Sequence, residues 1–375
     1  MSRIRRAAAV AAYLAFLAAL VEGSLQAFYY ATAGDILFRR VARAMYVPDP
    51  DSGFWNRPNL AMPHQTNEFR TMLYTNGQGF RTSAAHEEYA VPKPPDTYRV
   101  LLLGPSFAFG WGVDHEQGIG EQLRARLAAA DFGGGRRVEL VNAGVPSLDP
   151  FAQLRWLRAR GRALEPDLIV QLVYGSMDVA PSNLEVDARG YLVQPGSDSG
   201  HWRELVKQSA TIFYGWIVAT RVRALFGEEP AAGEIQGAGR KLTEQTAFDA
   251  ASPALARSLG FYRDLERTAS EIDAQLLVVT FPLSYVVHPE DAARWRHLGV
   301  RNIEAQRAFD AAYCAHLEAG GVPCLDIGDA LIEATRTSGE RLYYGLDIHW
   351  TPAGYRVAAE AVARRLVNDG PGRRR

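Results

Sequence analysis

Three side chains in this sequence could together carry out acyl transfer: Ser106, Asp347 and His349. A serine hydroxyl is a weak nucleophile until a histidine takes its proton, and the histidine works best when a carboxylate holds its ring. Ser106 stands in YRVLLLGPSFAFGWGV, residues 98–113, after the apolar run Val100-Leu101-Leu102-Leu103 and the pair Gly104-Pro105. Asp347 and His349 stand two apart in GLDIHWTPAGY, just ahead of the last helical pattern. Each feature alone is weak, because a serine in a turn is commonly a cap or a turn former. Their joint placement carries the argument. A buried strand, a sharp turn and a helix start leave Ser106 at the carboxyl end of the strand, and the loop before the final helix ends on the same rim of an α/β sheet.

The elements that would position them follow from periodicity. Apolar runs predict strands at Arg99–Leu103, Val138–Asn142, Leu168–Val173, Leu276–Phe281 and Val322–Asp326. Amphipathic patterns predict helices at Gly118–Ala130, Pro150–Arg162, Pro253–Ile272 and Arg301–Ala319, and a last one from Pro352 to Leu366 capped by Thr351. Apolar strands alternating with amphipathic helices mean an α/β fold, a three-layer α/β/α domain on a five-stranded parallel sheet. Residues 181–250 break the alternation. They hold a loop-like stretch, an apolar and aromatic helical pattern at His201–Phe226, and a Gly- and Glu-rich run. This helical insertion is expected near the Ser106 edge, as a lid or as an extension of the core.

The N-terminus has its own logic. Arg3, Arg5 and Arg6 precede the apolar run Ala7–Val21, Glu22 interrupts, and apolar residues resume to Ala31. A basic start before an apolar stretch predicts a transmembrane signal anchor with its N-terminus in the cytoplasm and the remainder outside, in the periplasm. A signal peptide cleaved near Ala31-Thr32-Ala33 and a buried soluble helix are the alternatives. The expected organisation is an anchor at 1–31, a membrane-proximal arm at 32–97 packing on the core, the main domain at 98–368 with its insertion at 181–250, and a basic tail at 369–375. The arm is rich in Pro, Asn and Gly, with turns at Asn76-Gly77 and Gln78-Gly79.

Composition excludes several classes. The chain of 375 residues carries a formal charge of -1, so no basic field recruits nucleic acid. No cofactor is expected: the Gly133-Gly134-Gly135 run precedes a strand and is read as a loop rather than a phosphate cradle, and no metal-ligand spacing occurs. Two cysteines, Cys314 and Cys324, are too few for a disulfide framework. Buried thiols are the default for them, and a disulfide is the alternative in an exported protein. His288 reads as a surface-loop histidine that could line the pocket. His115 is given no role.

The quoted segments resemble the SGNH/GDSL hydrolase superfamily over nearly the whole chain after the anchor. Gly104-Pro105-Ser106 with Gly110 and Gly112 is similar to its first block, and Val141–Ser147 to its second. Pro166–Leu168 through Tyr174–Asp178 is similar to its third, and Asp347-Ile348-His349 to its last. The last block also resembles that of alginate-type O-acetyltransferases. The resemblance implies that Ser106, His349 and Asp347 form the catalytic triad, with Gly144, Ser147 and Ser176 as oxyanion or binding residues. Three departures stand out: Pro105 replaces the family's Asp, Ser147 its second-block Gly, and Met177 its oxyanion Asn. The implied activity is removal of small acyl groups, chiefly O-acetyl, from an envelope or exported glycan. Transfer of the acyl group to polysaccharide is one alternative, and a non-catalytic glycan-binding envelope protein is another. The expected partners are an acylated glycan or small ester and the membrane.

Overall fold

The computed structural model describes residues 3–33, 45–65, 68–83, 88–174, 184–187, 190, 192–193, 195, 209–225, 248–292, 302–345 and 347–369. Helix α1 (Arg3–Ala33) is followed by five short strands: β1 (Tyr46–Asp49), β2 (Gly53–Asn56), β3 (Ala61–Gln65), β4 (Arg70–Thr75) and β5 (Arg81–Thr82). The central alternation begins at β6 (Thr97–Leu103) and continues through α2 (Ser106–Phe109), α3 (Ile119–Ala129), β7 (Arg137–Asn142), α4 (Pro150–Ala159) and β8 (Leu168–Tyr174). Two-residue strands β9 (Glu185–Val186) and β10 (Leu192–Val193) and helix α5 (Ala210–Leu225) interrupt it. It resumes with α6 (Pro253–Ser270), β11 (Gln275–Phe281), α7 (Ser284–Val287), α8 (Ile303–Ala319), β12 (Cys324–Asp326), α9 (Gly328–Ser338) and α10 (Pro352–Asp369).

The fold is α/β, with a five-stranded sheet of order β12-β11-β8-β6-β7 in which every neighbouring pair is parallel. Strand β6 is buried along its whole length. Its alternate side chains feed two cores: Leu101 and Leu103 face one layer, Val100 and Leu102 the other. A strand apolar at every position is what a sheet covered on both faces requires. Because β7 and β8 flank β6 on opposite sides, the strand order reverses at β6. Crevices at such reversals are the usual ligand sites of open α/β sheets. Local chemistry sets several helix starts: Asp149, Ser252 and Asn302 accept from the backbone N–H groups of Ala152, Leu255 and Ala305. Thr351 Oγ1 accepts from Gly354 N at 3.2 Å, capping α10 as the sequence predicts.

Some features differ from the sequence reading. Helix α9 has no counterpart in it, and α1 runs uninterrupted through Glu22. Within the predicted helix at His201–Phe226, the first turns lie outside the described residues. The cysteines expected by default to be buried thiols form a disulfide, Cys314–Cys324, because α8 packs on the strand it feeds and brings their Cα atoms to 5.6 Å. His288 is buried rather than a surface-loop residue, since its ring fills space against Tyr343 beneath the loop that carries His349.

Seven buried apolar residues of the arm, among them Met45, Tyr46 and Leu60, share the core of one sheet face. Trp55 stacks on Trp156 of α4 with ring centroids 4.4 Å apart, and Phe54, Leu73 and Phe80 are buried in the same cluster. The arm therefore gains its order from the sheet's own hydrophobic layer.

Candidate active site

Gly104 sits at φ +148°, and a side chain there would strike Ala108 and Leu172 at 2.9–3.0 Å. Only glycine lets β6 turn this sharply into α2, which places Ser106 at the first position of the helix. The N–H groups of Gly110 and Trp111 both donate to Ser106 O, and Gly110 closes α2 in the left-handed conformation. The Ser106 N–H belongs to the first turn, whose donors have no intrahelical acceptor.

The loop before α10 brings the other two residues to this point. His349 Nε2 lies 2.5 Å from Ser106 Oγ, and His349 Nδ1 is hydrogen-bonded to Asp347 Oδ1. Asp347 Oδ1 also accepts from His349 N at 3.0 Å, so one carboxylate oxygen fixes both backbone and ring. Burial raises the Asp347 carboxyl, but the adjacent imidazole and these hydrogen bonds outweigh it and hold it below the usual carboxylate range. The imidazole packs against Phe107 at 4.6 Å and Trp111 at 5.8 Å between ring centroids. A hydroxyl, an imidazole and an ionised carboxylate in series can move a proton off oxygen and stabilise the resulting imidazolium.

The loop itself is pinned on several sides. Tyr344 N donates to His349 O, and Thr351 N to Leu342 O, closing a narrow excursion. Tyr344 Oη donates to Gly112 O at 2.8 Å and Tyr343 Oη to Pro282 O at 2.5 Å. At the loop's entry, His288 Nε2 accepts from Leu342 N at 3.1 Å, which requires a neutral ring. Burial and the nearby Arg341 charge lower the pKa of His288 and favour that form.

The arm supplies contacts that the sequence did not suggest. Glu68 Oε1 accepts from Gly345 N at 2.5 Å and Oε2 from Asp347 N at 2.8 Å, clasping the loop from outside. Buried His64 lies against Trp111 at 4.2 Å between ring centroids. Arg81, nearly inaccessible, donates to the carbonyls of Tyr74, Thr82, Met72 and Val113, each at 3.2 Å. Burial pushes its guanidinium down to about 10, still protonated at neutral pH. Asn56 donates to Gly79 O at 3.1 Å and Gly144 O at 2.9 Å. The arm's Asn, Gly and Arg residues read as turn and surface chemistry in one dimension. Only their burial shows them to be braces.

The remaining sequence candidates fall in two groups. Gly144 packs against α2 so tightly that a Cβ would fall 2.4 Å from Phe109 N, and its N–H donates to Asn142 Oδ1 at 3.0 Å. Ser147 is exposed in the following turn at φ +66°, a conformation that favours glycine. Ser176, with Met177 and Asp178, lies outside the described residues.

Residues 242–374 match the family described as an SGNH hydrolase-like domain, acetyltransferase AlgX. Over that stretch the chain resembles the SGNH hydrolases. The matched stretch holds Asp347 and His349, and Ser106 precedes it. Solved structures with some similarity to this chain include an acetyl xylan esterase, at 10% identity over 70% of this chain and 97% of that one, TM-score 0.40. Two others are an acetyl-xylooligosaccharide esterase from Geobacillus stearmophilus (12%, 72% and 94%, TM-score 0.39) and a lipase/acylhydrolase from Enterococcus faecalis (14%, 73% and 98%, TM-score 0.34). No curated protein matches the chain.

Proposed function

We propose that the chain is a serine acyl hydrolase in which Ser106 is the nucleophile, His349 the proton carrier and Asp347 the residue that orients His349. The observation that carries this reading is the continuous hydrogen-bonded series Ser106 Oγ, His349 Nε2, His349 Nδ1, Asp347 Oδ1. Ser106 Oγ attacks the ester carbonyl while its proton passes to Nε2. The tetrahedral oxyanion collapses, the alkoxide leaves with that proton, and an acyl-Ser106 remains. Water then gives its proton to Nε2 and its oxygen to the acyl carbon, releasing the acid and restoring the serine. The backbone N–H of Ser106 at the start of α2 supports the oxyanion in this scheme, and Ser147 lies on the neighbouring turn as a further binding candidate, whereas Gly144 already has its N–H on Asn142 and its carbonyl on Asn56.

The substrate class proposed is a small O-acyl group, chiefly acetyl, on an envelope or exported glycan. Helix α1 is long and apolar enough to cross a membrane, which supports an anchor. The Cys314–Cys324 disulfide supports an oxidising compartment such as the periplasm. A second reading has one specific observation in its favour: the matching family description names an acetyltransferase. In that case a sugar hydroxyl replaces water at the acyl-enzyme. The test is labelling by a fluorophosphonate probe, expected for the folded protein and absent from Ser106→Ala. No labelling of the folded wild-type chain would refute both catalytic readings and favour a glycan-binding role. Acetate release from a model ester, with and without a sugar acceptor, separates hydrolysis from transfer.

A further inference from the structure

Helix α5 has no polar face. Its sequence, ATIFYGWIVATRVRAL, places apolar residues all round until Arg221 and Arg223 near its end. Of its described side chains, Ile212 and Val218 are 46% and 58% exposed. A helix apolar on all sides belongs inside a protein or against lipid.

Its beginning is seated on α1. Glu22 accepts from Ala210 N at 2.7 Å, Thr211 N at 3.0 Å, and the hydroxyls of Ser209 and Thr211 at 2.8 Å. A carboxylate facing the first N–H groups of a helix is favourable there, and four donors offset the cost of carrying Glu22 in an apolar helix. Next to it, Tyr29 packs on Phe213 at 5.8 Å and Phe28 on Tyr214 at 5.7 Å, and Tyr29 is buried under Ala210. Glu22 thus serves as the seat of a second helix, and the aromatic pairs extend the contact.

The place of this contact identifies what covers the exposed side. The span candidate begins at Arg5, and Glu22 lies 17 residues further on, roughly 25 Å along the helix at 1.5 Å per residue. The hydrocarbon core of a bilayer is about 30 Å thick. Glu22 therefore sits near the boundary remote from the N-terminal arginines, where aromatic residues concentrate in membrane proteins. The first turns of α5 lie along α1 from Glu22 to Tyr29, and α1 is uncovered on both sides of Glu22, with Leu14, Phe16, Leu20, Phe28 and Tyr30 all exposed.

We propose that α5 is a second membrane-attachment element, lying in the interfacial layer of the lipid bilayer beside α1, so that the chain is held at the membrane by a pair of helices. The inference rests on α1 being a membrane span. Both cysteines are in the disulfide, so single-cysteine probes can be placed cleanly. Full-length Val218→Cys, Val10→Cys and Val91→Cys chains, each carrying a nitrobenzoxadiazole label, are reconstituted in phosphatidylcholine–phosphatidylglycerol vesicles with brominated acyl chains. Bromolipid is expected to cut the emission of the Val218 and Val10 labels roughly twofold, as for groups sunk below the headgroups. The Val91 label, on the exposed face of the arm, stays unchanged. Quenching at Val10 but not at Val218, with the Val218 label open to aqueous iodide, overturns the inference and leaves the anchor intact. A Val218 label shielded from both quenchers overturns it in favour of a covering protein. An unquenched Val10 label overturns the anchor reading and this inference with it.

Discussion

Replacement of Glu68 by alanine is expected to slow the reaction without touching any reacting atom. Glu68 holds Gly345 N and Asp347 N with its two carboxylate oxygens, at 2.5 and 2.8 Å. Hydrogen bonds to a charged acceptor contribute about 1.5–3 kcal/mol each, and the half-buried position argues for the lower end, so about 3 kcal/mol is lost from the clasp. Were all of it spent on keeping His349 in register with Ser106, the rate would fall about 10²-fold, at tenfold per 1.36 kcal/mol. Tyr343, Tyr344 and Thr351 also pin the loop, so part of the loosening is absorbed and a fall of about 10- to 100-fold is expected. The assay is acetate release from an aryl acetate alongside the rate of fluorophosphonate labelling. Both rates should fall by the same factor while KM moves less than about threefold, because the substrate's own contacts are untouched. Glu68→Gln cannot accept from both N–H groups and should fall between wild type and alanine. Unchanged labelling of Glu68→Ala in a folded protein would refute the reasoning. So would a rise in KM with kcat intact, which would place Glu68 on the substrate instead.

Three further outcomes follow from the geometry. Asn56→Ala leaves the carbonyls of Gly79 and Gly144 without their donor in a buried site and should lower unfolding free energy by about 2–4 kcal/mol in urea titration. Ser147→Gly relieves a left-handed backbone at an exposed residue and should raise it by about 1 kcal/mol, and a loss would show that the serine side chain makes a compensating contact. His115 is pushed down to about 4 by burial first and by the Arg81 charge second. The folded state then resists protonation that the unfolded chain accepts below about pH 6.5, so stability present at neutral pH is lost as pH falls from about 6.5 to 4. Discounted for partial exposure the loss is about 2 kcal/mol. His115→Gln should flatten that part of the stability–pH curve, and parallel curves for the two proteins would refute the assignment.

Much of the fold was readable from one dimension because a parallel sheet covered on both faces needs uninterrupted apolar strands, and runs such as Val100–Leu103 and Leu276–Phe281 can be little else. Ser106, Asp347 and His349 were legible for a related reason: in such a sheet the strand carboxyl ends and the loops that follow share one rim. The arm was legible only as turns and short extended pieces. Asn56, Glu68 and Arg81 are polar residues in a Pro- and Gly-rich stretch, and nothing local distinguishes a brace from a solvated side chain. Likewise, Glu22 interrupts an apolar run in the sequence, yet in the structure it caps a helix 188 residues away.

The sequence by itself determined the α/β alternation, the strand end that presents Ser106 and the loop that carries Asp347 and His349, since each depends on periodicity and turn chemistry within a few residues. Tertiary structure alone decided that Ser106 Oγ and His349 Nε2 meet at 2.5 Å, that Cys314 and Cys324 are bonded, and that the arm clasps the histidine loop. Those outcomes depend on how separately formed elements pack, which is fixed by the summed burial of many side chains distant in the chain.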